Sequence, residues 1–439
     1  MSLFRLGCIA DDFTGATDLA NNLARAGMRV SLIIGIPSTD WPRDADAVVV
    51  ALKTRTIPVD HAVEQSLEAC RKLRGLGANQ IYFKICSTFD STDRGNIGPV
   101  LTALMHELHS SFSVVAPAFP QNHRTVYQGH LFVAEKLLSE SSMRYHPLTP
   151  MTDSNLLRLL SSQVQPHDCI GLIDEHAVAD SANAIRARMH ELETSGISIA
   201  IADCVHESDL VRLAGALYDA ALVTASSGLG ITLPSHWGFE PSAEITRLPA
   251  PRGKTVVLSG SCSAATYRQV RHFIDTGGIA RRLDTFDLAR DFRATVEATS
   301  AWAQDRWREH KDAPLLIYST IANADLATAQ QAPGTETAGA LIEQAMGALA
   351  RDLSVAGVGR LIVAGGETSG ACVQALSIDQ LRIGPQIDPG VPWCFAETPV
   401  ADSGGLHVAL KSGNFGADDF FNKALRILDA QAVERRAHA

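Results

Sequence analysis

Short apolar runs recur along the chain and alternate with stretches whose apolar positions fall three and four residues apart. That alternation predicts repeated βα units and mostly parallel sheets flanked by helices. In the first half the strand-like runs are Leu6–Ala10, Arg29–Ile34, Ala47–Ala51, Gln80–Cys86, Ser113–Pro117, Cys169–Ile173, Ser198–Ala202 and Leu222–Ala225. Amphipathic stretches at Ala16–Ala26, Pro58–Leu76, Ile97–Leu108 and Asp209–Ala220 predict intervening helices. The pattern breaks around Pro234–Lys254, where Pro234, Pro241, Pro249 and Pro251 interrupt any regular element. A second series follows, with strands expected at Thr255–Ser259, Leu315–Tyr318, Arg360–Ala364 and Leu406–Lys411 and helices at Asp291–Glu309, Thr335–Leu353 and Ala417–Leu428. The expectation is an α/β chain of two domains, residues 1–240 and 254–439, with the active site in the cleft between them. The stretch around Gly334 and the tail Ala430–Ala439, expected as a fraying helix, carry no assigned function.

Composition narrows the class. The chain has 439 residues, 46% of them apolar, enough for a packed core in each of two or three domains. Its 38 Lys and Arg against 48 Asp and Glu give a net charge of −10. With no block of basic residues, binding to nucleic acid or an anionic membrane through bulk electrostatics is excluded. No apolar stretch approaches the ~18 to 20 residues of a membrane helix, and the first residues lack the pattern of a secretory leader. The eight cysteines are scattered without a C-x-x-C spacing, which predicts free thiols in a reducing cytoplasm.

Candidate chemistry lies in the loops that follow the strands, because open parallel sheets bind ligands beyond their carboxyl ends. In the first half these loops carry Asp11, Asp12 and Thr14, then Lys53 and Arg55, then Lys84, Ser87 and Asp90, and finally Arg124. Carboxylates, hydroxyls and four cations on one edge suit a small, hydroxylated, anionic ligand whose carboxylate or phosphate a guanidinium can clamp. The plain alternative for Asp11 and Asp12 is helix capping. Thr14 stands nearer the helix expected from Ala16 and would cap it better, so two adjacent carboxylates exceed what a cap needs. For Lys84 the alternative is a buried structural ion pair.

The second half has a different signature. Three strands run into small-residue loops and then helices, at Ser259–Ser263, Gly365–Gly370 and Lys411–Gly416. Each offers backbone N–H groups and hydroxyls at a helix N-terminus, the geometry that holds a phosphate chain. Gly253-Lys254-Thr255 looks like the end of a P-loop but enters a strand, and no G-x-G-x-x-G opens either half. The latter weakens a nicotinamide-dependent oxidoreductase; a non-catalytic sensor of sugar acids is the other rival. No metal-ligand set can be assigned.

The segment Ala10–Ala16, the loop from Lys84 to Asp93, and Gly365–Gly370 with Lys411–Gly416 resemble the four-carbon acid sugar kinase family over essentially the whole chain. The resemblance implies an N-terminal domain for the acid sugar, a C-terminal domain for ATP, and Mg²⁺-assisted phosphorylation of a C4 hydroxyl. It places Ser259, Gly365, Gly366, Glu367, Thr368, Gly405 and Gly413 near ATP, with Lys411 in the same set of loops. Asp11, Asp12, Arg55 and Lys84 fall on the substrate side, with Arg55 and Lys84 expected to hold the substrate carboxylate. Asp12, or Asp11, is the expected base for the C4 hydroxyl. Within the family Leu52–Thr56, Cys86–Pro99, Ala116–Phe132, His146–Asn155 and Ala409–Gly416 are most similar to the branch acting on 3-oxo-tetronate. D-threonate, L-threonate and erythronate remain alternative substrates, and a homodimer is the default assembly.

Overall fold

In the computed structural model the chain divides into two units, Met1–Ile245 and Thr246–Ala439. The structure describes residues 5–37, 41–42, 44–146, 148–164, 169–311, 313–319, 335–401 and 405–437. The stretch around Gly334 therefore lies partly outside the described residues, as do the last two residues of the tail.

The first unit has strands β1 (Leu6–Ala10), β2 (Val30–Ile34), β3 (Ala47–Ala51), β4 (Gln80–Lys84) and β5 (Ser113–Ala116). It continues with β6 (Arg124–Tyr127), β7 (His130–Val133), β8 (Lys136–Leu137), β9 (Cys169–Ile173), β10 (Ile197–Ala202) and β11 (Leu222–Ala225). Eight of them form a parallel sheet in the order β2-β3-β1-β4-β11-β5-β10-β9. Every residue of β1, β3 and β4 is buried, as continuous apolar runs covered on both faces require. The connection after β1 runs through α1 (Phe13–Arg25) to β2 on one side. The connection after β4 runs through α3 (Ile97–Glu107), which follows α2 (Val59–Gly75) in the chain, to β5 on the other. The order thus reverses between β1 and β4, and that reversal opens a crevice at the carboxyl ends.

A small antiparallel sheet of β6, β7 and β8 was not expected from the pattern. Its first turn, Gln128-Gly129, has φ of 49° and 68°, the left-handed pair a two-residue hairpin needs. Asp203, fully buried just past β10, accepts hydrogen bonds from the N–H groups of Gln128 (2.8 Å), Gly129 (2.9 Å) and Glu175 (3.0 Å). One carboxylate so pins the hairpin to the parallel sheet.

The second unit has β12 (Lys254–Ser259), β13 (Ile279–Arg282), β14 (Leu315–Tyr318), β15 (Val358–Ala364), β16 (Gln380–Asp388), β17 (Val391–Ala396) and β18 (Leu406–Lys411), in the order β13-β14-β12-β15-β18-β17-β16. The first five are parallel; β17 pairs antiparallel with both neighbours. Strands β13, β16 and β17 were not expected. Pro385 and Pro392 lie inside the β16–β17 hairpin, where register shifts accommodate them and hide its alternation. Trp393 anchors the core of this unit, packed with Phe420 and Phe421 and donating from Nε1 to the Ala424 carbonyl at 2.8 Å. Among the described residues no helix is long and apolar enough to cross a membrane.

Asp203→Ala leaves the buried Gly129 N–H and the part-buried N–H groups of Gln128 and Glu175 without an acceptor, the buried one alone costing about 1–3 kcal/mol. The chemical-denaturation midpoint should fall by an amount worth about 3 kcal/mol or more. An unchanged midpoint would show that the carboxylate anchors nothing.

Candidate active site

Parallel register brings the polar loops of the first unit together at the reversal between β1 and β4. Ala10 pairs with Ala51 on one side and Lys84 on the other, so the loops after β1, β3 and β4 leave the sheet side by side. Arg55 joins them. Its Nε and Nη2 donate to both oxygens of Asp11 at 3.0 and 2.9 Å; Nη2 also reaches Asp12 Oδ1 at 2.6 Å and Nη1 reaches Asp90 Oδ2 at 3.3 Å. Asp11 and Asp90 are buried, and the Arg55 side chain is 20% exposed. Phe89 and Asp90 adopt φ of 64° and 42°, an unusual consecutive left-handed pair. That turn points Asp90 back at Arg55, where Thr88 Oγ1 also donates to it at 2.7 Å. Asn96 ties the β3 and β4 loops through its Nδ2, which donates to the carbonyls of Thr54 (2.7 Å) and Ile57 (2.9 Å). Behind Arg55 lies a cavity of about 10 Å³, room for one water, where the buried Thr54 Oγ1 has no protein partner.

This geometry corrects two expectations. Arg55 is not an open clamp for a substrate carboxylate, because four of its five N–H directions face protein carboxylates. Asp12, not Thr14, caps α1: its backbone is extended, and its Oδ1 accepts from Gly15 N at 3.1 Å. Thr14 lies in the first helical turn. Oδ1 of Asp12 takes both the cap and Arg55, and the carboxyl also hydrogen-bonds with that of Asp11. Burial pushes the Asp12 carboxyl up, but Arg55, Lys84 and the Gly15 N–H outweigh it and hold the group below its ordinary range. Asp11 shifts the other way: burial raises it more than Arg55 lowers it, and the charge on Asp12 adds to the rise.

Lys84 ends β4 and is 3% exposed. Among the described residues no hydrogen bond or contact-distance ion pair ends on its Nζ, while its charge acts on Asp11, Asp12 and Asp18 around it. It faces the first turn of α1 so closely that a Cβ at Gly15 would collide with both Lys84 Nζ and Asp12 Oδ1. Asp18, one and a half turns into α1, was missed from sequence. Its carboxyl accepts from Ser227 Oγ just past β11, and Asn22 Nδ2 donates to the Ser227 carbonyl at 3.1 Å. Burial raises Asp18, against the pull of Lys84 and Ser227. The available signal was polar residues four apart, Asp18 and Asn22, on an otherwise apolar helix face. The remaining expected residues are less engaged. Lys53 is exposed and Ser87 half-buried. Arg124 sits on β6 and donates to the Asn122 carbonyl, and no described contact joins it to the Asp11 cluster.

The second unit repeats the placement with other chemistry. Ser259 pairs with Ala364, and Ala364 with Lys411, so the three small-residue loops leave one sheet edge in neighbouring positions. Gly365 (φ 130°) turns the chain into the helix Gly366–Ala375, which has no side-chain cap. A Cβ at Gly260 or Gly365 would strike Thr368 Oγ1, and one at Gly413 would strike Ser261 Oγ. Gly366, in contrast, faces open space, and Glu367 is exposed. Uncapped N–H groups behind a surface without side chains fit a phosphate group. Gly405 (φ 154°) packs against the Phe395 ring, so it supports the β17–β18 pairing. Lys411 is buried, its Nζ bonded to Thr266 Oγ1 and two loop carbonyls, and burial pulls it down to about 7.

Two family descriptions match this chain: "Sugar-binding N-terminal domain" over residues 6–233 and "Nucleotide-binding C-terminal domain" over residues 256–421. The chain belongs to the four-carbon acid sugar kinase family. It is 48% identical to a Pseudomonas fluorescens protein named 3-oxo-tetronate kinase, over 96% of each chain. A solved structure from Salmonella typhimurium LT2 is similar with a TM-score of 0.87 at 42% identity, covering 97% of this chain and 100% of that one. Haemophilus influenzae protein HI1011 gives 0.81 at 40% identity, over 96% and 100%. The Asp11–Arg55–Lys84 cluster falls within the sugar-binding match of this kinase family and the three small-residue loops within the nucleotide-binding match.

Arg55→Met removes the common partner of Asp11, Asp12 and Asp90, and breaking a buried pair of this kind costs about 3–5 kcal/mol. The thermal midpoint should drop together with activity. A variant of native stability that only raises KM for the acid would make Arg55 a substrate clamp after all.

Proposed function

We propose that the chain is an ATP-dependent kinase that phosphorylates the C4 hydroxyl of a four-carbon sugar acid, with 3-oxo-tetronate as the acid. The observation that carries this reading is the near full-length similarity to a 3-oxo-tetronate kinase, joined to the Asp11–Arg55–Lys84 cluster on the first unit and phosphate-type loops on the second. The chain uses ATP, as a kinase family with a nucleotide-binding domain implies.

Lys84 is the group that meets the substrate carboxylate. Among the described residues its ammonium makes no contact-distance hydrogen bond or ion pair, acting on Asp11, Asp12 and Asp18 at longer range, and it stands at the N-terminus of α1, where the helix dipole adds to its field. Four carboxyl groups, of Asp11, Asp12, Asp18 and Asp90, share the cations Arg55 and Lys84, with the hydroxyls of Ser227 and Thr88 and the Gly15 N–H as further donors. Fully ionised, they would repel an acid. Burial relieves this by favouring the protonated forms of Asp11 and Asp18.

Asp12 orients the C4 hydroxyl and receives its proton. A carboxylate held below its ordinary range is a weak base, but phosphoryl transfer has a loose transition state and asks mainly for alignment. On the second unit the N–H groups that open the helix Gly366–Ala375 hold phosphate oxygens. Mg²⁺ would be held chiefly by substrate phosphates and water, as it typically is beside one or two carboxylates. When bound, Mg²⁺ draws charge from the transferring phosphoryl group.

ADP release measured across 3-oxo-tetronate, D-threonate, L-threonate and erythronate tests the reading; no turnover with any of them would end it. Asp12→Asn should lower kcat by about 10²-fold or more with little change in ATP affinity. Because Arg55, Lys84 and the Gly15 N–H hold Asp12 below the ordinary carboxylate range, the acid limb of kcat/KM should lie below that range. A limb centred above pH ~6 would assign the base to another group. Gly366→Val adds a side chain where the protein leaves space. It should preserve the thermal midpoint and weaken ADP binding about 10-fold or more by intruding on the phosphate; unchanged ADP affinity would remove Gly366 from the nucleotide site.

A further inference from the structure

The loop after β18 contains an unusually constrained carbonyl. Lys411 is 1% exposed, and its Nζ donates to Thr266 Oγ1 at 2.9 Å, to the Ser412 carbonyl at 3.0 Å and to the Gly413 carbonyl at 3.1 Å. The Gly413 carbonyl also accepts from Ser263 Oγ at 2.5 Å and from Thr266 Oγ1 at 2.8 Å. Thr266 gives its proton to that carbonyl, which leaves its oxygen to accept from the lysine. Three acceptors thus take the three N–H directions of an ammonium, and none is left for a ligand.

The consequence lies on the other side of the peptide planes. In a trans peptide the N–H points opposite to the C=O, and the described chain has no cis bond. With the Ser412 and Gly413 carbonyls turned in toward Lys411, the N–H groups of Gly413 and Asn414 point outward. Among the described residues neither finds an acceptor. Gly413 is half-buried and Asn414 exposed, beside Ser261 and Ser263 on the same sheet edge. Two successive N–H groups of this kind form an anion-binding concavity.

We propose that Lys411 is a positioning residue that does not touch the nucleotide: by holding the Ser412 and Gly413 carbonyls inward, it presents the Gly413 and Asn414 N–H groups to a phosphate of ATP. The inference rests on the nucleotide reading of the second unit and replaces a direct lysine–phosphate contact with one made through the backbone.

The test is calorimetric titration of ADP into the full-length chain. Lys411→Met should weaken ADP about 10-fold or more, the scale of a lost charge-assisted contact. Asn414→Pro deletes one N–H at an exposed position whose backbone is not left-handed, and should cost a similar factor. Asn414→Ala keeps the N–H and should stay within about 2-fold of the parent. If the lysine acts through that N–H, the Lys411→Met, Asn414→Pro double variant binds no more than about 2-fold weaker than the worse single one. Independent losses that multiply would overturn the proposal. Should Lys411→Met fail to fold, the Asn414 pair decides: equal ADP affinity for the proline and alanine variants would also overturn it. Failure of the parent chain to bind ADP is a separate result, which removes the nucleotide reading itself.

Discussion

The first unit is organised around one buried guanidinium. Arg55 draws carboxylates from the loops after β1 and β4 toward the loop after β3, and each of those loops would otherwise carry an uncompensated charge into a site largely closed to water. A planar fork with five donors is what allows one side chain to satisfy Asp11 on both oxygens and still reach Asp12 and Asp90. Lysine, a point charge on a flexible stem, could not. Arg55 is thereby committed to the scaffold, and among the described residues Lys84 is the cation of the cluster without a contact-distance ion pair.

The two units solve the same problem of positioning with different materials. Both place their polar loops by parallel register at the carboxyl edge of a sheet. The first unit then uses charged side chains, which can discriminate a small acid by its functional groups. The second uses backbone N–H groups, glycine turns and hydroxyls, which suit the repeating oxygens of a phosphate chain and need close approach. Lys411, buried there, is turned inward onto the backbone.

Much of the fold was legible because buried parallel strands are continuous apolar runs. Leu6–Ala10, Ala47–Ala51 and Leu222–Ala225 appear in the structure with the bounds their pattern predicts. Strand β13 was illegible because its residues, Ile279–Arg282, are half-buried to exposed at the sheet edge and include two arginines. The β16–β17 hairpin was hidden by prolines that sit at register shifts. The small sheet β6–β8 has no continuous apolar run, and what holds it is the distant carboxylate of Asp203.

By itself the sequence determined which residue types stand at the ends of which strands, and hence that charged chemistry belongs to the first half and backbone phosphate chemistry to the second. Strand period and apolar content are local properties, so residues near one another in the chain suffice to express them. Only the tertiary structure decided how Arg55, Lys84 and Lys411 divide their labour. That division depends on which acceptors lie within about 3 Å of each nitrogen: the carboxylates on Arg55 come from loops 35 to 44 residues away, and Thr266, 145 residues away, joins the adjacent Ser412 and Gly413 carbonyls on Lys411. No local pattern carries that information, because it exists only once the strands have paired.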